Sequence, residues 1–414
     1  MWIWTQSPWK MTSTLYMCLF ILSTLSFCVP QPNNQESTVQ EENPFHRRLA
    51  PVNVDFAFRL YRNLISRAPN RNVFISPVSI SMSLAMLSLG TKSTTHTQLL
   101  EGLGFNLTET SVWEVHKAFE HLIQLFNHSD TGLEMNMGNV LLPDLHLKLT
   151  ESFMREIKKY YNVDIFPTDF KNTTRAKNQV NDFVKNKTLG KVDQLFNDLE
   201  ENTILLLINY FLFKGRWVQP FDSSFTKMQK FYPSQNVSVD VLMMFQSRLN
   251  KILFDKELSC TVVQLEYSGN ATAFFILPDE GKMDKVVAAL SRDTLDRWSL
   301  LLKERDVHLR IPKFCISESY ELNDVLEELG MMELFTVKAD FSGITDVPIK
   351  LSKVHHKVVL SVDEEGTVAA AATGMELTSR GLPPVITFNR PFLFIVFDHF
   401  TWSSLFLGKI MNPT

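Results

Sequence analysis

The chain has 414 residues, 45% of them hydrophobic and 21% charged, and 41 Lys and Arg against 45 Asp and Glu leave a net charge of -4. That balance supplies a large core and excludes a disordered tail protein, a collagen, a histone-like duplex binder and a disulfide-dense mini-scaffold. No long basic stripe interleaved with aromatics is present, so no nucleic-acid partner is expected.

The N-terminus reads as secretory. Lys10 precedes an apolar run at 15–27 (LYMCLFILSTLSF), with Ser26 and Cys28 as small residues ahead of Val29. Residues 1–28 are therefore expected to be a signal peptide, with Met11 as an alternative start and no membrane anchor. Residues 29–50 are polar and Pro-rich and read as a flexible leader. Within it, His46-Arg47-Arg48 is a solvated linker, a processing site or a weak polyanion contact. From Asn53 the pattern changes: Phe56, Leu60, Tyr61 and Leu64 recur at helical spacing. Further helices are expected at 80–89, 113–126, 150–161 and 176–187, with one early strand at 135–142. Strand signals dominate later, at 204–213, 260–267, 271–277, 307–311, 354–362 and 392–397. Helix-like segments at 284–289, 292–302 and 319–329 lie between them. With no repeat and no composition break after residue 50, the expected fold class is one α+β domain over 51–414.

Chemistry-bearing motifs are scarce. There is no G-x-S-x-G, H-E-x-x-H, C-x-x-C or Walker A pattern, and no metal or cofactor is called for. His355 and His356 are adjacent, and adjacent strand residues point to opposite faces, so the pair makes a poor metal site. Once the signal is removed, Cys260 and Cys315 remain, as two separate thiols or one bridge. Sequons at Asn106, Asn127, Asn172, Asn186, Asn236 and Asn270 suit an extracellular glycoprotein.

The most unusual segment is 363–384, DEEGTVAAAATGMELTSRGLPP, between two strand-like runs. In strand alternation one face begins Thr367, Ala369, Ala371, Thr373, while Val368, Ala370 and Ala372 fall on the other, which also carries Glu376 and Arg380. The uncharged set could enter a sheet interior as an extra strand without burying a charge. Arg380, between Ser379 and Gly381, suits an Arg-cleaving protease.

With these residues in view the chain resembles a serpin, more narrowly the secreted antitrypsin-like clade that includes antichymotrypsin, kallistatin, protein C inhibitor and the hormone-binding globulins. The blocks NVFISPVSISMSLAMLSLG (72–90), GLGFNLTET (102–110), NYFLFKGRWVQPF (209–221), FFILPDEGKM (274–283), SKVHHKVVLSVDEEGT (352–367), FNRPFLF (388–394) and LFLGKIMNPT (405–414) carry the resemblance. It implies the serpin fold, with three β-sheets, about nine helices and an exposed C-terminal reactive loop at 364–384. It places Arg380 and Gly381 at the reactive bond. Glu364, Gly366, Thr367, Val368, Ala369, Ala370, Ala371 and Ala372 form the hinge. Ser76, Ser79, Asn209 and His356 fall where the main sheet opens, and Lys313 pairs with Glu364 near Trp217 at its top.

The expectation that follows is an extracellular, monomeric serine protease inhibitor, not an enzyme. A trypsin-like protease would acylate at Arg380, and the cleaved loop would then insert into the main sheet. The alternative is a non-inhibitory carrier of a hydrophobic hormone, or a chaperone-like binding protein. Positive charge in the segment 91–103 is limited to Lys92, and Arg155, Lys158 and Lys159 make only a modest patch. Heparin or another polyanion is thus only weakly supported as a partner.

Overall fold

The computed structural model describes residues 44–127, 133–188, 190–366, 383–399, 401 and 403–414. Among these residues the chain forms nine α-helices and fourteen strands. The helices are α1 (Pro44–Arg67), α2 (Pro77–Ser88), α3 (Ser93–Leu103), α4 (Val112–Asn127), α5 (Glu151–Tyr161), α6 (Thr173–Lys187), α7 (Met283–Ala289), α8 (Arg292–Leu301) and α9 (Asn323–Glu328). The strands are β1 (Val73–Ile75), β2 (Leu133–Pro143), β3 (Asp164–Ile165), β4 (Leu205–Gly215), β5 (Lys227–Ser234), β6 (Val237–Asp255) and β7 (Cys260–Glu266). They continue with β8 (Ala271–Pro278), β9 (Lys303–Pro312), β10 (Phe314–Glu321), β11 (Lys353–Val362), β12 (Val385–Thr387), β13 (Phe392–Asp398) and β14 (Ser403–Ile410). Helix α1 begins at Pro44, within the stretch read as a leader.

Local chemistry accounts for the helix ends and for a helix rich in serine. Thr150 caps α5 by accepting from the Phe153 N–H, and Asn172 caps α6 by accepting from that of Arg175. All twelve residues of α2 are buried. Its hydroxyls tolerate this by donating back along the helix, Ser81 to the Pro77 carbonyl at 3.1 Å and Ser88 to that of Ala85 at 2.7 Å.

The strands form two hydrogen-bonded sheets, not three. One has five strands in the order β10-β11-β4-β2-β3. The other runs β1-β14-β13-β8-β7-β6-β9-β12, with β5 on β6. The reason for the lower count is β6, which spans nineteen residues. One end of it pairs with β5, the other with β7, and β9 runs alongside. A strand this long joins two layers into one continuous ladder. Sequence periodicity misses β5 and β6 because much of both is solvent-exposed, and it misses β14 because all eight of its residues are buried. Its sequence, SSLFLGKI, is buried on both faces and so shows no clean period-2 alternation, and Ile410 is its one β-branched residue. Residues 319–321, expected to be helical, instead end β10.

The main core lies between the two sheets and beneath α1 and α2, with Phe56, Tyr61, Phe211, Phe275, Phe394 and Phe406 buried in it. A second core covers the opposite face of the five-stranded sheet. There Val180 and Val184 of α6, with Phe196, pack on Val140, Ile208 and Val359. Both faces of the central strand β4 are therefore covered.

Candidate functional site

Strands β4 and β11 run parallel at the centre of the five-stranded sheet, paired from Leu206 and Lys353 to Phe213 and Leu360. The register sets His356 beside Asn209, and Asn209 beside Asn139 of β2. This buried polar row meets serines at the start of α2. The Ser76 N–H donates to His356 Nε2 at 3.0 Å, so the ring proton sits on Nδ1, which donates to Asn209 Oδ1 at 2.7 Å. The Ser79 hydroxyl also donates to Asn209 Oδ1, at 2.8 Å. Asn209 Nδ2 donates to Asn139 Oδ1 at 2.9 Å, and Ser83 donates to that same oxygen. Complete burial, with Lys357 adding to it, pushes the His356 imidazole down to about 3. The four residues expected at the sheet opening, Ser76, Ser79, Asn209 and His356, thus come together, and Asn139 and Ser83 are members that sequence reading did not name. A cleft of about 220 Å³ opens beside them, lined by Met82, Met137 and Tyr161 among others.

The base of the 364–384 segment is held at the other end of β11. Lys313 Nζ lies 2.8 Å from Glu364 Oε2, and the Thr226 hydroxyl donates to Glu364 Oε1 at 2.9 Å. Burial works to raise the Glu364 carboxyl, but the Lys313 bond, a backbone N–H and the Thr226 hydroxyl, with the Lys313 charge, outweigh it and hold the group below its ordinary range. Trp217 contributes its indole N–H to the Asp363 carbonyl and its backbone N–H to that of Glu365, both at 3.0 Å, while its ring stacks on Tyr267 at 4.1 Å. Gly366 has φ +83, and a Cβ there would stand 2.4 Å from the Trp217 nitrogen and 2.5 Å from the Gly215 carbonyl oxygen. Only glycine fits. Thr367, Val368, Ala369, Ala370, Ala371, Ala372, Arg380 and Gly381 lie outside the described residues.

A third group was not foreseen. On the large sheet, Thr272 donates its one hydroxyl proton to Glu266 and sits 2.5 Å from His399 Nε2, so that ring nitrogen carries the proton. Gln264 Nε2 reaches the other Glu266 oxygen at 2.5 Å, and Lys251 Nζ lies 3.3 Å from it. Burial pushes the Glu266 carboxyl up, but hydrogen bonds from Thr272 and Gln264, and the Lys251 ammonium, hold it below its ordinary range. These polar groups share a sheet face with Val262, Phe274 and Ile395, as register and alternation require. Strand composition alone cannot find them, because they come from four separate segments.

Among the sequons, Asn106, Asn172, Asn186, Asn236 and Asn270 are exposed. Asn127 ends α4. Cys260 is buried and Cys315 exposed, each a free thiol, and burial pushes Cys260 up to about 12. No helix among the described residues is long and apolar enough to cross a membrane.

The family model for serpins, "Serpin (serine protease inhibitor)", matches residues 51–413, and the chain belongs to that family. It is 52% identical over 400 residues to the corticosteroid-binding globulin of Homo sapiens, covering 96% of this chain and 99% of the relative. The corresponding protein of Oryctolagus cuniculus is 55% identical over 368 residues, 89% and 96% of the two chains. Among solved structures, human thyroxine-binding globulin complexed with thyroxine superposes with a TM-score of 0.85 at 43% identity, over 89% of this chain and all of that one. Human glycosylated kallistatin gives 0.85 at 42% identity, over 89% and 99%. Like these globulins, the chain is a secreted, extracellular protein.

These relatives overturn one expectation. The chain was read as an inhibitor acylated at Arg380 by a trypsin-like protease, and as a partner of such proteases. The globulins to which it is similar along nearly its whole length are instead named for the hormone they bind. The physical reason is that small hinge residues and an Arg in a loop permit insertion and cleavage without deciding which is faster. Trapping a protease requires insertion to outrun deacylation, and a small-residue hinge with an Arg is compatible with either outcome of that race.

Proposed function

We propose that this protein is a non-inhibitory serpin that carries a small hydrophobic hormone of the corticosteroid class. The observation that carries this reading is the 52% identity to a corticosteroid-binding globulin along nearly the whole of both chains. A steroid needs an apolar platform with a few convergent polar groups for its ketone and hydroxyl oxygens. The large-sheet face carrying Gln264, Glu266, Thr272 and His399 beside Val262, Phe274 and Ile395 has that composition. The wide cleft of about 730 Å³ bounded by Tyr232, Pro278 and Arg390 suits it less well, because Asp279, Glu280 and Asp284 line it. In this reading Glu364, Gly366 and Lys313 anchor a loop whose cleavage at Arg380 leaves no covalent complex, and the sequons accept glycans.

Equilibrium dialysis of the purified glycoprotein against radiolabelled cortisol, with unlabelled progesterone and thyroxine as competitors, tests the proposal. Saturable binding of one cortisol per chain, displaced by progesterone and not by thyroxine, is the expected result. Saturable thyroxine binding without cortisol binding would move the ligand class. Absence of both, together with an SDS-stable complex with trypsin, would sink the carrier reading.

A further inference from the structure

His355 is the neighbour of His356 on β11 but lies on the opposite face, toward the second core. Its side chain is only 12% exposed. Neither ring nitrogen has a hydrogen-bond partner. The Phe196 ring stands edge-on over it, with centroids 4.5 Å apart. Phe196 belongs to an irregular strap, residues 190–204, that leaves α6 and crosses this face before β4 begins. Four further contacts hold the strap down. Asn181 of α6 accepts from the Leu195 and Phe196 N–H groups and donates to the Phe196 carbonyl, each at 2.9 Å. Glu200 pairs with Lys353 of β11 at 2.8 Å. In the sheet, His355 is paired with Ile208 of β4 on one side and Glu321 of β10 on the other, so the strap lies over the parallel join itself.

We propose that Phe196 and His355 form a proton-released clasp, in which acidification lifts the strap 190–204 off the β4–β11 join. The physical reason is that an imidazole without a hydrogen-bond partner, under a phenyl ring, accommodates a proton poorly, whereas the same ring in water takes one readily. Glu321 Oε2 is 3.8 Å from His355 Nε2 and would favour the charged ring. Lys353 and Lys357, two residues either way on the same face of β11, oppose it, and Glu200 of the strap is engaged with Lys353. Ile208 and Phe196 bring no charge. Burial, followed by Lys353, accordingly pushes His355 down to about 4. Protons therefore bind the lifted strap more strongly than the clasped one, and low pH favours lifting. Any rearrangement that parts β4 from β11 on this face must first move the strap, so the clasp makes that rearrangement acid-sensitive.

Hydrogen–deuterium exchange of the full-length glycoprotein at pH 7.4 and 5.5, corrected for intrinsic exchange rates, tests this on peptides covering 190–204. With the ring near 4 when clasped and near its ordinary value when hydrated, the opening equilibrium should rise about tenfold at the lower pH. His355→Phe keeps the packing on Phe196 and removes the proton, so its two-pH ratio should fall to near one. Phe196→Ala uncovers the imidazole without removing it and should also flatten the ratio, at higher exchange throughout. A wild-type ratio near one overturns the clasp, as does a tenfold ratio that survives either substitution. These outcomes do not depend on the ligand, so the clasp and the carrier reading fail separately.

Discussion

His355 and His356 are consecutive, both held well within the five-stranded sheet, and their surroundings differ in kind. His356 faces the main core and has both ring nitrogens satisfied, one by the Ser76 N–H and one by Asn209. His355 faces the second core and has neither satisfied. Burial lowers both, to about 3 and about 4. The difference shows how one strand separates two roles: a saturated row that joins β2, β4 and β11 to α2, and an unsatisfied ring that only a movable strap keeps dry. The first holds both ring nitrogens in hydrogen bonds, while the second is kept dry by packing alone, and both need a neutral ring.

Acidification should have the largest effect and breaks the comparison if it has none. His116, His355 and His356 are pushed down to about 4, 4 and 3, and burial is the main cause in each. The folded state then binds fewer protons than the unfolded chain, so this stabilisation is present above pH 6.5 and lost as pH falls below it. Between pH 7.5 and 5 the three together should cost on the order of 5 kcal/mol, read from urea midpoints at the two pH values. Next, Asn209→Leu should cost about 3 kcal/mol in the same assay, because it strands the His356 Nδ1–H and Asn139 in a dry interior. A loss under 1 kcal/mol would mean that the polar row is not a joint.

Smaller effects should come from the loop base. Lys313 is 41% exposed, so Lys313→Met should change global stability by less than about 1 kcal/mol. It should nevertheless raise amide exchange at 363–366, where Glu364 loses its ammonium partner. The smallest effect concerns the thiols: iodoacetamide at pH 8 should label Cys315 and spare Cys260 without shifting the melting temperature. Labelling of Cys260 at a similar rate would show that the large sheet opens far more readily than its burial implies.

Much of this was legible in the chain. The 3.6-residue period located α4, α5 and α6 to within a few residues, since each is amphipathic and has one buried face. Strand composition located β4, β7, β8 and β11 for a different reason: their runs are rich in β-branched and aromatic residues, although β4 and β8 are buried on both faces. The Ser76, Ser79, Asn209 and His356 set came from family resemblance, because residues so far apart in sequence carry no local signal of meeting. Gly366 was legible as a glycine in a hinge, but the reason it must be glycine, the approach of Trp217 and Gly215, is a tertiary fact. Resemblance to the family also reached the carrier reading only as the second choice, because inhibitors and carriers share the motifs that sequence reading can see.

By itself the sequence determined the α+β class, the helical first half, the strand-rich second half and membership of a fold family. Those follow from periodicity and from ordered blocks, which are properties of neighbours along the chain. Tertiary structure decided that β6 would join two layers into one ladder, that Asn139 and Ser83 would complete the polar row, and that His355 would lie under Phe196. Each of these depends on register across a sheet or on the path of an irregular strap. Such contacts are set by packing between distant segments, where no local pattern records the partner.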